Sequence, residues 1–220
     1  MLFAQSHFTN RFTSFRLKSK VFLFILGIVL GGNLHGQIGY GLTAKTDLYA
    51  RYSNPKDGIA SPSAGSALLN IGIGPKLWFG GEYVSFSPEA SVIFSPFALS
   101  VGDFKGMGAA SFPVMAKFHF LGMSNLNKDG LFGFALGFGL QWSRTELYGL
   151  KESFDELGVD RSFFKTYVIE LDYGFGLSGF NLHGFVRYGF NDNLQANTLN
   201  IGVGYDFNFK LLKEATDPDF

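Results

Sequence analysis

Along most of the chain after residue 36, apolar side chains recur at every second position. This period of two is typical of β-strands, whose successive side chains point to opposite faces of a sheet. The segment 131–143 shows it best, with Phe, Leu or Trp at each even position and small or polar residues at the odd positions from 133 onward. The segments 166–176 and 197–209 repeat the scheme. We therefore predict strands in all three.

Five further segments alternate less regularly and bring the predicted number of strands to eight. They are residues 37–52, 67–79, 83–94, 111–120 and 180–190. Pro75, Pro88 and Pro113 fall inside these segments. Because proline has no N–H to donate to a neighbouring strand, we expect bulges or local breaks at these points.

The connections between the predicted strands alternate in length. Gly80-Gly81 and Ser178-Gly179 are typical of tight hairpins. Long polar connections cover residues 53–66, 95–110 and 144–165. The predicted fold class is therefore all-β, a single eight-stranded antiparallel up-and-down barrel.

The first 36 residues have a different character. Four basic and no acidic residues lie within positions 1–20, and an apolar run follows at 21–30. A basic region, a short apolar region and small residues after it are typical of a cleavable signal peptide. The alternative, a membrane-spanning helix, needs about 20 apolar residues. We predict a signal peptide at 1–36, a barrel at 37–209 and a short acidic tail at 210–220.

Composition excludes several function classes. The chain of 220 residues contains no cysteine, so thiol catalysis, disulfides and iron–sulfur clusters are excluded. It has 18 basic and 18 acidic residues and no basic stripe, which argues against nucleic-acid binding. Hydrophobic residues make up 46% of the chain, and this apolar surface is enough to bury in a core, which excludes intrinsic disorder.

The apolar face of such a barrel could line a soluble, lipocalin-like cavity or contact a membrane. Three observations favour the membrane. The opposite face is rich in glycine and alanine, its charges are sparse and mixed in sign, and aromatic residues lie near the ends of the apolar strips. The candidate interface aromatics are Trp142, Tyr167, Tyr173, Phe175 and Phe209.

With these features the chain resembles the small outer-membrane β-barrel proteins of Gram-negative bacteria, of the OmpX/OmpA-barrel type. It is also similar to the outer-membrane β-barrel domain proteins of Bacteroidota. The resemblance implies export through the periplasm, insertion by the barrel-assembly machinery, and a monomer in contact with the bilayer and lipopolysaccharide. It further implies that an aromatic residue closes the last strand; Phe209 fits that role, and Phe220 is also aromatic.

Eight strands leave an interior just wide enough to be filled by side chains. Alternation and the Ser178-Gly179 turn place Arg187 opposite Glu170, with Asp172 one inward position away, and predict a guanidinium fork between the two carboxylates. We interpret the inward residues as a structural ion network; a gate or a proton or solute path is the alternative. The predicted interior residues are Lys45, Asp47, Lys76, Glu89, Lys117, His119, Glu170, Asp172, His183, Arg187 and Asp206.

Some outer-membrane barrels are lipid A deacylases or acyltransferases, which makes catalysis an alternative. Acyl transfer needs a histidine near a serine at the outer leaflet. The histidines after residue 36, His119 and His183, both fall at the periplasmic ends of their predicted strands and face inward. We therefore predict no enzyme activity, no metal site and no cofactor.

The connection 144–165 carries five acidic residues, without the spacing of a calcium-binding loop. We interpret it as a solvated acidic loop, with a cation-binding or partner-binding loop as the alternative. Phe154, Phe163 and Phe164 could pack the loop or present an adhesive edge. The predicted function is structural, surface-interacting and adhesion-like. The alternative is a porin-like small-solute channel or a barrel that binds an apolar ligand.

Overall fold

A computed structural model describes residues 36–53, 63–65, 70–100, 106–148, 162–191 and 196–216. The chain divides into two units, Met1–Gly36 and Gln37–Phe220, and every element described below belongs to the second. The predicted signal peptide, apart from Gly36, lies outside the described residues. So do Phe154 and Phe220.

The described strands close into one antiparallel barrel. Their bounds are β1 (Gln37–Ser53), β2 (Ser63–Gly65), β3 (Ile71–Gly80), β4 (Val84–Ala90), β5 (Val92–Ser100), β6 (Met107–Leu121), β7 (Leu131–Tyr148), β8 (Phe164–Leu177), β9 (Phe180–Asn191) and β10 (Ala196–Asn208).

These segments form a ring of eight strands. β2 and β3 occupy one position, since both pair with β1 on one side and β5 on the other. β4 and β5 occupy another, between β3 and β6. β1 pairs with β10 and closes the ring. The predicted eight-stranded antiparallel barrel is therefore confirmed, although most strands extend beyond the predicted ends.

The strand formed by β4 and β5 is interrupted at Ser91, and the cause lies on the neighbouring strand β6. Ser91 donates its N–H to the carbonyl of Pro113 at 3.0 Å. Pro113 has no N–H with which to return that bond. β3 and β6 themselves continue through Pro75 and Pro113. The expected break therefore lies opposite a proline rather than at one.

Two local irregularities decide which residues face inward. In β1 the register shifts between Asp47 and Tyr49, so Leu48 and Tyr49 are both exposed and Tyr52 is buried. Between β8 and β9, Ser178 and Gly179 have φ values of 46° and 85°. Positive φ at both central residues matches the twist of a tight hairpin.

The outer surface is apolar and carries aromatic rings near both ends of the strands as well as between them. Near the short turns, Phe132 contacts Phe175 at a ring separation of 5.4 Å. Near the long connections, Tyr167 lies 6.3 Å from Phe190. Of the predicted interface aromatics, Tyr167, Tyr173 and Phe209 are exposed, while Trp142 and Phe175 are half-buried.

The prediction that Phe209 ends the last strand is wrong: β10 ends at Asn208, and Phe209 begins a short helix, α1 (Phe209–Thr216). Its ring still lies 6.3 Å from that of Tyr40, beside the β1–β10 seam. α1 covers much of the segment predicted as a tail, and it buries Leu211. Within the part of the chain that the structure describes, no helix is long and apolar enough to cross a bilayer.

Candidate functional site in the barrel interior

Glycines on the inner face make room for long charged side chains. A Cβ added at Gly137 on β7 would lie 2.8 Å from Cγ of Lys117. A Cβ at Gly204 on β10 would overlap the ring of His183. The alternation of large outward and small inward residues therefore lets a few large polar side chains fill the lumen.

The eleven residues predicted to face the interior are all buried, each at most 4% exposed. Eight of them form one cluster, called the central ionic layer below. Its members are Lys45, Lys76, Glu89, Lys117, Glu170, Asp172, Arg187 and Asp206. Four cations and four carboxylates are thus paired inside the barrel, while Asp47, His119 and His183 have different surroundings.

Glu170 on β8 is the hub of the central ionic layer. One carboxylate oxygen accepts hydrogen bonds from Nζ of Lys117 and, at 3.0 Å, from Nζ of Lys45. The other accepts from Nε of Arg187. Lys45 lies on β1, which is not adjacent to β8, so these contacts cross the lumen.

Glu89 on β4 extends the layer. Its two oxygens contact Nζ of Lys45 at 2.6 Å and Nζ of Lys76 at 3.0 Å. Lys76 also donates to Asp206 at 2.8 Å. The pairs therefore join into one network rather than forming isolated bridges, and with all charges buried each depends on its partners.

Arg187 lies opposite Glu170 in the β8–β9 register, as the turn predicted. The predicted fork between two carboxylates is wrong in one respect. Arg187 Nη1 donates to Oε1 of Gln141 at 3.3 Å, whereas Asp172 accepts from Lys117 at 2.7 Å. Lys117 comes from β6, on the other side of β7, and its side chain crosses β7 over Gly137, which lies opposite both Lys117 and Glu170 and has no side chain.

Asp47 is held by amides rather than by cations. Its Oδ2 accepts from Nδ2 of Asn200 at 2.8 Å. Asn200 also approaches the hydroxyl of Tyr52 at 3.2 Å, and Asn70 donates to the Asp47 carbonyl at 3.0 Å. Asn70, Gln141 and Asn200 were not predicted as site residues, although their inward position in the alternation was a usable signal.

The two histidines face the lumen near the short turns. Nε2 of His119 is 2.7 Å from Oγ of Ser87, and the ring of His183 lies against Gly204. Among the described residues, no group of three or more His, Asp or Glu side chains is arranged to hold a metal ion.

The β6–β7 connection closes the lumen at the short-turn end, which the sequence reading missed. Residues 122–127, called the lid below, are all buried. Carbonyls of the lid accept hydrogen bonds from Ser85 at 2.7 Å, Asn181 at 3.2 Å and Asn208 at 2.8 Å. These donors come from three strands, so the lid is fastened around the rim. The signal in the sequence that could have predicted the lid is the inward position of Ser85, Asn181 and Asn208 near the ends of their strands.

Small and aromatic residues occupy the opposite end of the lumen. They form a buried apolar cluster of Ala50, Tyr52, Ala98, Ala109, Phe164 and Ala196. Residues 149–161 of the long acidic connection lie outside the described residues. Within the described part, Glu146 is buried and has a φ of 55°.

No protein-family model matches the sequence, and no curated protein matches it. Similar solved structures include the Neisserial surface protein A, NspA, with 12% identity, a TM-score of 0.43, and coverage of 79% of this chain and 99% of that one. The N-terminal β-barrel domain of Pseudomonas aeruginosa OprF has 9% identity, a TM-score of 0.41 and coverage of 78% and 100%. Ail, the attachment invasion locus protein of Yersinia pestis, has 14% identity, a TM-score of 0.39 and coverage of 78% and 97%. These values are too low to transfer a property of those proteins to this chain.

Proposed function

We propose that the protein is an integral outer-membrane β-barrel whose interior is plugged by its own side chains. Its role is structural and surface-interacting, in the manner of an adhesion protein, rather than enzymatic. Residues 1–36 serve as its signal peptide. It inserts with the barrel-assembly machinery and remains a monomer in contact with lipid and lipopolysaccharide.

The observation that carries this proposal is the inside-out distribution of polarity on β8. Ile169 and Leu171 are 51% and 55% exposed, while Glu170 and Asp172 are 0% exposed. A soluble barrel would place its charges outside. In hydrocarbon, by contrast, apolar side chains face lipid and every backbone N–H and C=O must find a partner, which a closed sheet provides.

Three features support a plugged interior. The central ionic layer crosses the lumen, the lid closes the short-turn end, and the apolar cluster around Tyr52 and Phe164 occupies the other end. A solute path would have to break several buried ion pairs at once. A barrel closed in this way presents its long connections as the surface available to partners.

Three measurements test the proposal. A closed membrane barrel resists SDS when cold, so unboiled and boiled outer-membrane samples are expected to migrate differently on a gel. No shift, together with recovery in the soluble periplasmic fraction, would contradict membrane insertion. In planar bilayers we expect no steady ion current; a steady current would contradict the plug while leaving insertion intact. N-terminal sequencing of the mature protein is expected to give Gln37 as the first residue.

A further inference from the structure

We propose that two outward basic side chains near the long-connection end of the barrel, Arg144 and Lys165, bind the phosphate of a membrane lipid headgroup. The site rests on the proposed membrane insertion, because it lies on the outer face of the sheet. We call it the basic–aromatic patch. Its members are Phe112, Trp142, Arg144, Phe163, Lys165 and Tyr167.

Strand pairing brings the patch together. Phe112 on β6 lies opposite Trp142 on β7, which lies opposite Lys165 on β8. Arg144 follows Trp142 by two residues on the same face of β7. Diagonal neighbours of this kind have Cα atoms roughly 7–8 Å apart, and both side chains are long and flexible enough to reach one phosphate between them.

Among the described residues, no carboxylate forms an ion pair with Arg144 or Lys165. Every ion pair between two described residues joins other side chains. Nε of Arg144 is buried without a hydrogen-bond partner. Nζ of Lys165 lies 5.4 Å from the ring centroid of Tyr167. Glu146, the acid next along β7, is buried and so does not compete on the outer face.

The aromatic members place the two cations at headgroup depth. The rings of Phe112 and Phe163 are 5.5 Å apart, and Trp142 and Tyr167 are of the types that favour the membrane–water interface. Lipid phosphates lie in that region, where basic side chains are attracted to them. The charge and the depth of the patch therefore match one group of the lipid.

A lipid fits the patch better than a free anion does. Along the outer face of β8, Tyr167 is followed by Ile169 and Leu171, both more than half exposed. A ligand that joins a phosphate to acyl chains covers the cations and this apolar strip together. Inorganic phosphate would contact the cations alone.

The position of tryptophan provides a direct test. The chain has two tryptophans, and Trp78 is 0% exposed, whereas Trp142 belongs to the patch. In a Trp78→Phe variant, all tryptophan fluorescence comes from Trp142. The variant is inserted into phosphatidylcholine vesicles that contain a small fraction of lipid with brominated acyl chains, which quench this fluorescence. We expect brominated phosphatidic acid to quench Trp142 more strongly than brominated phosphatidylcholine at the same fraction, and salt to reduce the difference.

If Trp78→Phe does not fold, the wild type gives the same comparison, because Trp78 adds the same signal with both lipids. Arg144→Gln and Lys165→Gln are each expected to lower the relative association of phosphatidic acid about fivefold. The matched control is Arg51→Gln. Arg51 is exposed near the same end of β1, and its cross-strand partners Leu199 and Ala64 carry no aromatic ring. This variant is expected to retain the preference.

Three results would overturn the inference. Equal quenching by the two lipids, in a barrel that still shows its cold-SDS shift, removes the site and leaves the proposed function standing. If the preference for phosphatidic acid survives in both Arg144→Gln and Lys165→Gln, these two residues do not form the lipid site. Loss of the preference in millimolar inorganic phosphate assigns the patch to a free anion. A chain that inserts into neither vesicle contradicts the proposed function itself.

Discussion

The central ionic layer and the lid both occupy the lumen, but different interactions hold them. The layer joins side chains of opposite charge, some of them from strands that are not adjacent, as in the contact of Lys45 with Glu170. The lid presents backbone carbonyls to neutral side chains such as Asn181. Loss of one partner therefore leaves a buried charge in the first region and only an unpaired dipole in the second. Variants in the two regions should differ in cost accordingly.

The largest effect is expected from Arg187→Ala. It removes the donor to one oxygen of Glu170 and leaves that carboxylate with fewer buried partners, which costs on the order of 3–5 kcal/mol. The measurement is the urea midpoint of unfolding in detergent. Arg187→Ala combined with Glu170→Gln should recover part of the loss. Additive losses would show that the two residues do not interact.

A smaller effect is expected from filling the space beside Lys117. Gly137→Val places carbon atoms against the Lys117 stem, because even a Cβ there would lie 2.8 Å from Cγ. Overpacking of this kind costs roughly 1–3 kcal/mol. Gly184→Val is the matched control, since a Cβ at Gly184 has its nearest neighbour at 3.9 Å. Equal unfolding midpoints for the two variants would contradict the crowding.

The lid is expected to respond more weakly than the layer. Asn181→Ala removes one of three hydrogen bonds from strand side chains to lid carbonyls, at a cost of about 1 kcal/mol. Lys128 adjoins the lid and its side chain is 70% exposed, but trypsin also needs the neighbouring lid backbone to open, so cleavage after Lys128 should become about fivefold faster. Asn197→Ala, on the outer face of β10, should leave the rate unchanged. An unchanged rate in Asn181→Ala would contradict the fastening role.

The smallest effect is expected at the surface pair of Lys128, 70% exposed, and Glu214, 25% exposed, which are 3.3 Å apart. Solvent screens such pairs, so Lys128→Gln should change the free energy of unfolding by less than about 0.5 kcal/mol. Urea unfolding of this variant beside Arg187→Ala compares an exposed with a buried ion pair. Comparable losses of unfolding free energy in the two variants would show that burial does not increase the contribution of an ion pair to stability.

Much of the fold follows from local pattern. Alternation along 131–143 and 166–176 was sufficient to predict the strands and the inward face, because the period of two in a strand is a property of the backbone. The Ser178-Gly179 turn was sufficient to pair Glu170 with Arg187, since a two-residue hairpin determines the register of both strands. The prediction of an eight-stranded barrel rests on the same local rules, and the strand pairing confirms it.

Partners beyond adjacent strands were decided by tertiary structure. Alternation states that Lys117 and Asp172 face inward, but not that they meet, because that depends on the stagger of the closed barrel and on the space left by Gly137. The break at Ser91 required knowledge of its neighbour Pro113. The last strand was predicted to continue to Phe209, whereas the chain turns into α1 after Asn208, whose Oδ1 accepts from the N–H of Lys210 at 3.2 Å.

The lid shows the same division most clearly. As a sequence, residues 122–127 are an irregular connection without period. Their burial depends on Ser85, Asn181 and Asn208, which lie far apart along the chain and meet only when the ring closes. The sequence by itself determined which residues point into the barrel, because that is local geometry. Only the tertiary structure decided what they bind there, because closing the barrel brings together side chains from strands that are not adjacent, such as Lys45 and Glu170.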